Sequence, residues 1–117
     1  MEDFVPFLLA KKLKEKGFRE KVNAYYGKHE NIFDVHPALD MNDADYRASA
    51  PTISQVLKWL RKERGLFVQI MFVDKSYYYE VIDITTDKVK CISGDYKESP
   101  ELAALAGIEY IIDNNLI

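Results

Sequence analysis

Residues 51–92 read PTISQVLKWLRKERGLFVQIMFVDKSYYYEVIDITTDKVKCI, and their periodicity switches from helical to alternating at a single glycine. Thr52 and Gln55 stand at capping-box spacing, the hydroxyl placed to accept an early amide and the Gln side chain to reach back. Pro51 discourages an earlier start. Ile53, Val56, Leu57 and Leu60 share one side with Trp59 at its edge, while Ser54, Gln55, Lys58, Arg61 and Lys62 take the other. Gly65 follows Arg64 as the residue type that closes a helix in the left-handed conformation. The spacing predicts a helix over 52–64.

After Gly65 the pattern changes. Leu66, Val68, Ile70 and Phe72 alternate with Phe67, Gln69, Met71 and Val73, so that only Gln69 is polar on the second face. A strand of that kind is expected to be central or covered. Asp74, Lys75 and Ser76 form a connection of hairpin length without a glycine to fix the turn type. Residues 77–84 are rich in aromatic and β-branched side chains, which suit a pleated surface. Thr85, Thr86 and Asp87 then turn the chain into a short strand over 89–92.

On the N-terminal side, FVPFLLAKKLKEK predicts a helix with Asp3 as N-cap and Pro6 in the first turn, where a missing amide costs little. Gly17 ends it and lets Phe18 fold back on Leu13. VNAYY, residues 22–26, reads as a short strand adding an edge to the ribbon. Residues 27–50 show no sustained period and are expected to be irregular, with short helical turns around 37–45. At the other end, Ser99, Pro100 and Glu101 supply an N-cap, a proline at the first helical position and an early acid. A closing helix is expected to about Asn114, with Gly107 admitting close approach of another element.

At 117 residues the chain is expected to be a single domain over 1–117. Its 48% hydrophobic and 30% charged residues describe a globular chain. A net charge of −3 gives no global attraction to nucleic acid or to an anionic membrane. The single Cys91 excludes an internal disulfide framework and fits a reducing compartment. Glu2 and Asp3 stand where a cationic leader would need lysines, and no apolar run reaches the ~18 residues of a membrane span. The expected location is cytoplasmic, with no membrane partner.

Candidate constellations are few. His29 and His36 lie near Glu30, Asp34, Asp40, Asp43 and Asp45, but cysteine partners at zinc-site spacing are missing. DMNDAD, from Asp40, opens like a calcium loop yet has Asp45 at the sixth position and Pro51 at the twelfth, where glycine and glutamate belong. No metal ligand and no cofactor is assigned. Cys91 falls in a strand, without a motif-like relation to either histidine, and is read as a buried thiol. Phosphate-loop, dinucleotide and HExxH motifs are absent. No catalytic residue is assigned, and the chain is read as non-enzymatic.

The remaining candidates are Lys58, Arg61 and Lys62 on the polar side of the 52–64 helix, which suit phosphates, with Tyr77 and Tyr79 to stack on unpaired bases. The competing reading is a solvated basic helix face and tyrosines that belong to the sheet. Helix, three strands and helix is also the order of a double-stranded-RNA-binding domain, but SPELAALAG stands where that family begins its last helix with lysines.

The blocks FVPFLLAKKLKEKGF, APTISQVLKWLRKERGLFVQI and ELAALAGIEYIID resemble small uncharacterised proteins of phages and prophages of gut bacteria. The resemblance covers about half of the chain. It departs at Leu105, where one acid of the commoner version is missing, and around GKHENIF. It implies an accessory protein of a mobile element and carries no catalytic residue over to this chain.

The expected fold is therefore α+β, an antiparallel sheet of three to four strands packed by two or three helices, in the order α-(β)-α-β-β-β-α. The expected function is a binding module for a protein partner or for self-association. Nucleic-acid binding through Lys58, Arg61, Lys62, Tyr77 and Tyr79 is the alternative, and a small hydrolase or nuclease the third class.

Overall fold

Gly17 and Gly65 both hold a left-handed backbone, with φ of 89° and 67°, and each closes a helix at the position its sequence marks. The computed structural model describes residues 1–117. It is an α+β fold of three helices and two separate three-stranded antiparallel sheets. The chain divides into two compact units, residues 2–52 and residues 53–117 together with Met1.

The N-terminal unit contains α1 (Phe7–Glu15), β1 (Val22–Tyr26), β2 (Ile32–Leu39) and β3 (Ala48–Ser49). Helix α1 starts later than its sequence suggests. Phe4 bridges Thr52 in extended conformation, the Val5 amide donates to the Pro51 carbonyl at 2.9 Å, and Pro6 rather than Asp3 occupies the N-cap. Its C-terminus follows the Schellman pattern, with Phe18 N donating to Leu13 O at 3.0 Å and Gly17 N to Lys14 O at 3.1 Å. Phe18 and Leu13 are both fully buried.

Strand β1 does not extend the ribbon of the C-terminal half. It is the centre of its own sheet, in the order β2-β1-β3. Residues 27–50, expected to be irregular, supply both neighbours. Strand β2 runs through Pro37 at the sheet edge, where a residue without an amide removes no ladder bond. Between the pairs Ala24↔Asp34 and Val22↔Leu39 the register slips, and the cis His36–Pro37 bond lies in the slipped part. The Asn23 side chain spans it by donating to Val35 O at 3.3 Å.

The segment between β2 and β3 is held from inside. Asn42 is buried and donates from Nδ2 to Phe18 O at 2.7 Å, while its Oδ1 accepts from Ser49 N at 2.8 Å. Ser49 Oγ in turn accepts from Met41 N at 3.1 Å. Asp40 pairs with Arg19 at 2.6 Å and Asp43 pairs with Arg47. Two of the acids that give DMNDAD its likeness to a calcium loop are thus partnered by arginines, and no cluster of three or more His, Cys, Asp or Glu side chains is arranged to hold a metal ion.

The C-terminal unit contains α2 (Ile53–Arg64), β4 (Leu66–Val73), β5 (Ser76–Asp83), β6 (Lys88–Ile92) and α3 (Pro100–Asp113), with the strands in chain order. Asp74 and Lys75, with φ of 49° and 61°, make the two-residue β4–β5 turn with positive φ at both central positions, so the turn type expected of Asn-Gly forms here without glycine. Asp83 organises the next turn by accepting from Thr85 N at 2.9 Å and Thr85 Oγ1 at 2.6 Å. These bonds hold its carboxyl below the usual range. Helix α3 begins as read, with Ser99 Oγ accepting from Leu102 N at 3.1 Å and Pro100 at the first position.

Helix α3 packs over β4 and β5, and α2 packs on β4 and beside α3. The core between them is built from Ile53, Val56, Trp59 and Leu60 of α2, Val68 and Val81 of the sheet, and Ile108 and Ile111 of α3. Trp59 is inside this core rather than at its edge. Gly107 is the closest point of approach: a Cβ there would stand 2.7 Å from Val68 Cγ1 and 3.3 Å from the Tyr79 ring.

Candidate interaction surface

Residues directly opposite one another across an antiparallel pair share a face. In the C-terminal sheet the register is Phe67↔Ile82, Gln69↔Glu80, Met71↔Tyr78, Ile82↔Val89 and Glu80↔Ile92. The alternate set, with Val68 opposite Val81 and Val81 opposite Cys91, faces the helices. Both helices of the unit lie on that inner side, so the outer face is left to Phe67, Met71, Val73, Tyr78, Ile82, Val89 and Ile92.

That face is apolar and partly in solvent. Ile92 is 61% exposed, Val89 52%, and Phe67 and Val73 38% each. Tyr96, also 61% exposed, packs edge-on against Tyr78 with ring centroids 5.7 Å apart. Gln69 and Glu80 are the polar pair in the middle. Two strands about 27 Å long and a third of about 17 Å, about 4.8 Å apart, give a footprint of roughly 340 Å² with the polar pair included, near the lower end of the patches that are often functional.

The sequence places β4 in a central or covered position because it is apolar on both sides. The structure puts it at the sheet edge, with one face under helices and the other open. The signal for the open face was in the sequence: Phe67, Met71 and Val73 face away from the helix-covered set, and Ile82 and Val89 fall in register with them. What the sequence lacks is any mark of which strand ends the sheet.

Lys58, Arg61 and Lys62 are all exposed on the outer side of α2. Arg64, next along, lies with its guanidinium 5.0 Å from the Trp59 ring centroid. The two tyrosines do not join these bases. Tyr77 is half-buried at the hairpin end of β5, with its ring 5.0 Å from that of Phe72. Tyr79 is 7% exposed, under Gly107 and beside Tyr110 at 6.3 Å. A phenol so enclosed has no ring face to offer a base, and burial together with Cys91 pushes it up to about 12.

Cys91 is half-buried on the inner face opposite Val81, and it raises the neighbouring Tyr110 phenol by hydrogen bonding and charge. His29 and His36 are both exposed. No helix is long and apolar enough to cross a membrane. Comparison of the chain with protein-family models, with curated proteins and with solved structures finds no match.

Proposed function

We propose that this chain is a non-enzymatic binding module whose C-terminal sheet docks face to face on a second copy of itself. The observation that carries the reading is the open apolar face centred on Gln69 and Glu80. Two sheets packed about 10 Å apart interdigitate their facing side chains as a sandwich does, and a two-fold axis makes each patch its own partner. The central pair supports a like partner. Gln69 carries two N–H donors and Glu80 only acceptors, so two copies related by the axis satisfy each other's polar centre while Phe67, Ile92 and Val89 lose water around it. These side chains are 38–61% exposed, so each contributes only part of the roughly 1.5–3 kcal/mol of a full burial, against which the cost of association is set. An accessory role in a phage or prophage, suggested by the resemblance of the three helical blocks, is compatible with such a module.

Sedimentation velocity over a wide concentration range tests the reading. The expected outcome is a mass that rises from 13.6 kDa towards twice that value, and an Ile92→Asp variant that stays at the lower mass with an unchanged melting temperature. A mass of one chain at every concentration, or a dimer insensitive to Ile92→Asp, rules out this face as a self-association surface.

A further inference from the structure

A second feature is independent of the sheet face. The N-terminal unit forms an open cleft of about 490 Å³ between α1, the end of β1 and the segment before β3. That volume lies within the range of small-molecule sites, roughly 300–1,000 Å³. Its construction is specific. Lys14 donates to the carbonyls of Ala44 and, at 2.6 Å, Arg47, which ties the segment before β3 to α1 and fixes one wall. Tyr26 donates its hydroxyl to Val5 O at 2.6 Å, and its ring meets Phe7 edge-on at 5.4 Å. Tyr46, 65% exposed, lines the cleft, with the Arg47 guanidinium carbon 5.3 Å from its ring centroid.

The charge of the cleft is opposite to that of the whole chain. Four bases line it (Lys11, Lys14, Lys28 and Arg47) against two acids, Glu15 and Asp45, a balance of +2 in a chain of net charge −3. Lys14 is committed to the two carbonyls and Arg47 to Asp43. Lys11 sits 5.4 Å from the Phe7 ring centroid, and Lys28 is exposed at the rim. One further donor is unspent. Arg47 Nε is buried and has no hydrogen-bond partner, the only such side-chain atom in the protein, whereas buried polar groups are ordinarily satisfied.

Aromatic walls and two ammonium groups, Lys11 over the Phe7 ring and Lys28 exposed at the rim, suit a ligand that is flat at one end and anionic at the other. We infer that this cleft binds a small aromatic anion of the 5′-mononucleotide class, with the ring against Phe7, Tyr26 and Tyr46 and the phosphate between Lys11 and Lys28. Stacking on aromatic side chains is tolerant of base identity, so the site reads the combination of ring and phosphate rather than one base.

Calorimetric titration of the full chain with AMP and UMP tests this, with adenosine and inorganic phosphate alone as the two halves. Both nucleotides are expected to saturate the site with half-occupancy below about 1 mM. Each half alone is expected to bind at least about tenfold more weakly, a difference of 1.4 kcal/mol. Lys11→Ala with Lys28→Ala is expected to remove the advantage of AMP over adenosine, and Tyr46→Ala its advantage over phosphate. All three residues are surface-facing enough that the melting temperature should hold. Absence of saturable binding, equal binding of phosphate and AMP, or nucleotide binding unaffected by the lysine pair would each overturn the assignment.

Discussion

Gly107 sits where α3 crosses the sheet, and it shows how one absent methyl group sets a packing distance. An added Cβ would meet Val68 at 2.7 Å and the Tyr79 ring at 3.3 Å, both held in the core. Gly107→Ala should therefore lower the urea midpoint: the ~1 kcal/mol gained in helix propensity is outweighed by overpacking of roughly 1–3 kcal/mol. Adding Val68→Ala should recover part of the loss, and a more stable single variant would mean the approach is looser than described. Tyr79 beneath it carries a pH signature. Its phenol moves from the ordinary 10 to about 12, chiefly through burial and then through Cys91, Tyr110 and Asp95. The folded protein then holds the proton where the unfolded chain has lost it. Its contribution is complete below pH 10 and is lost as pH rises from 10 through 12, on the order of 2–3 kcal/mol in all. Tyr79→Phe should flatten that stretch of the stability–pH curve; an unchanged slope would place the phenol in water. Gly107 was legible in the sequence because a glycine inside a helix carries a local cost. Asn42 and Arg47 were not, since their roles lie in bonds to Phe18, Ser49, Asp43 and Tyr46 that local pattern does not encode.

Among the elements, α2 carries its facing in its own periodicity. Leu60 is fully buried and Lys62 exposed. Leu60→Ala should cost about 2–5 kcal/mol and Lys62→Ala under about 0.5; equal losses in denaturant melts would contradict the packing of α2 on β4. Helix ends were readable where a chemical stop exists, as at Gly17, Gly65 and Ser99. Local signals do not mark them where tertiary pairing competes: Phe4 is drawn into a bridge with Thr52, which delays α1 to Phe7. Strand β2 was illegible for a related reason. Pro37 disqualifies a central strand, and only the sheet order shows that this strand is an edge. Its largely exposed side chains, including Ile32, Phe33 and Leu39, also erase the alternation that a half-buried strand displays.

For the molecule as a whole, charge separates the remaining functional readings. The exposed Lys58, Arg61 and Lys62 offer at most three phosphate contacts, which on a single strand would give a log–log salt slope of about −2. Against them stand the net charge of −3 and the acids of the C-terminal quarter. Labelled oligonucleotides should show no complex tighter than ~100 μM at physiological salt. Anisotropy titrations decide the matter, and a micromolar complex abolished in a Lys58/Arg61/Lys62 triple alanine variant would place nucleic acid ahead of self-association. The edge position of β4 has a different kind of consequence. LFVQIMFV holds eight residues without a charge, a proline or a glycine, and its outer row of amides and carbonyls has no neighbouring strand. Segments of that composition stack into cross-β fibrils when they meet their own kind. The nearest gatekeepers in the chain are Arg64 before the strand and Asp74 and Lys75 after it. The β4 edge is thus a border at which concentrated solutions are open to fibril growth, and neutralisation of those three charges should shorten the lag before it.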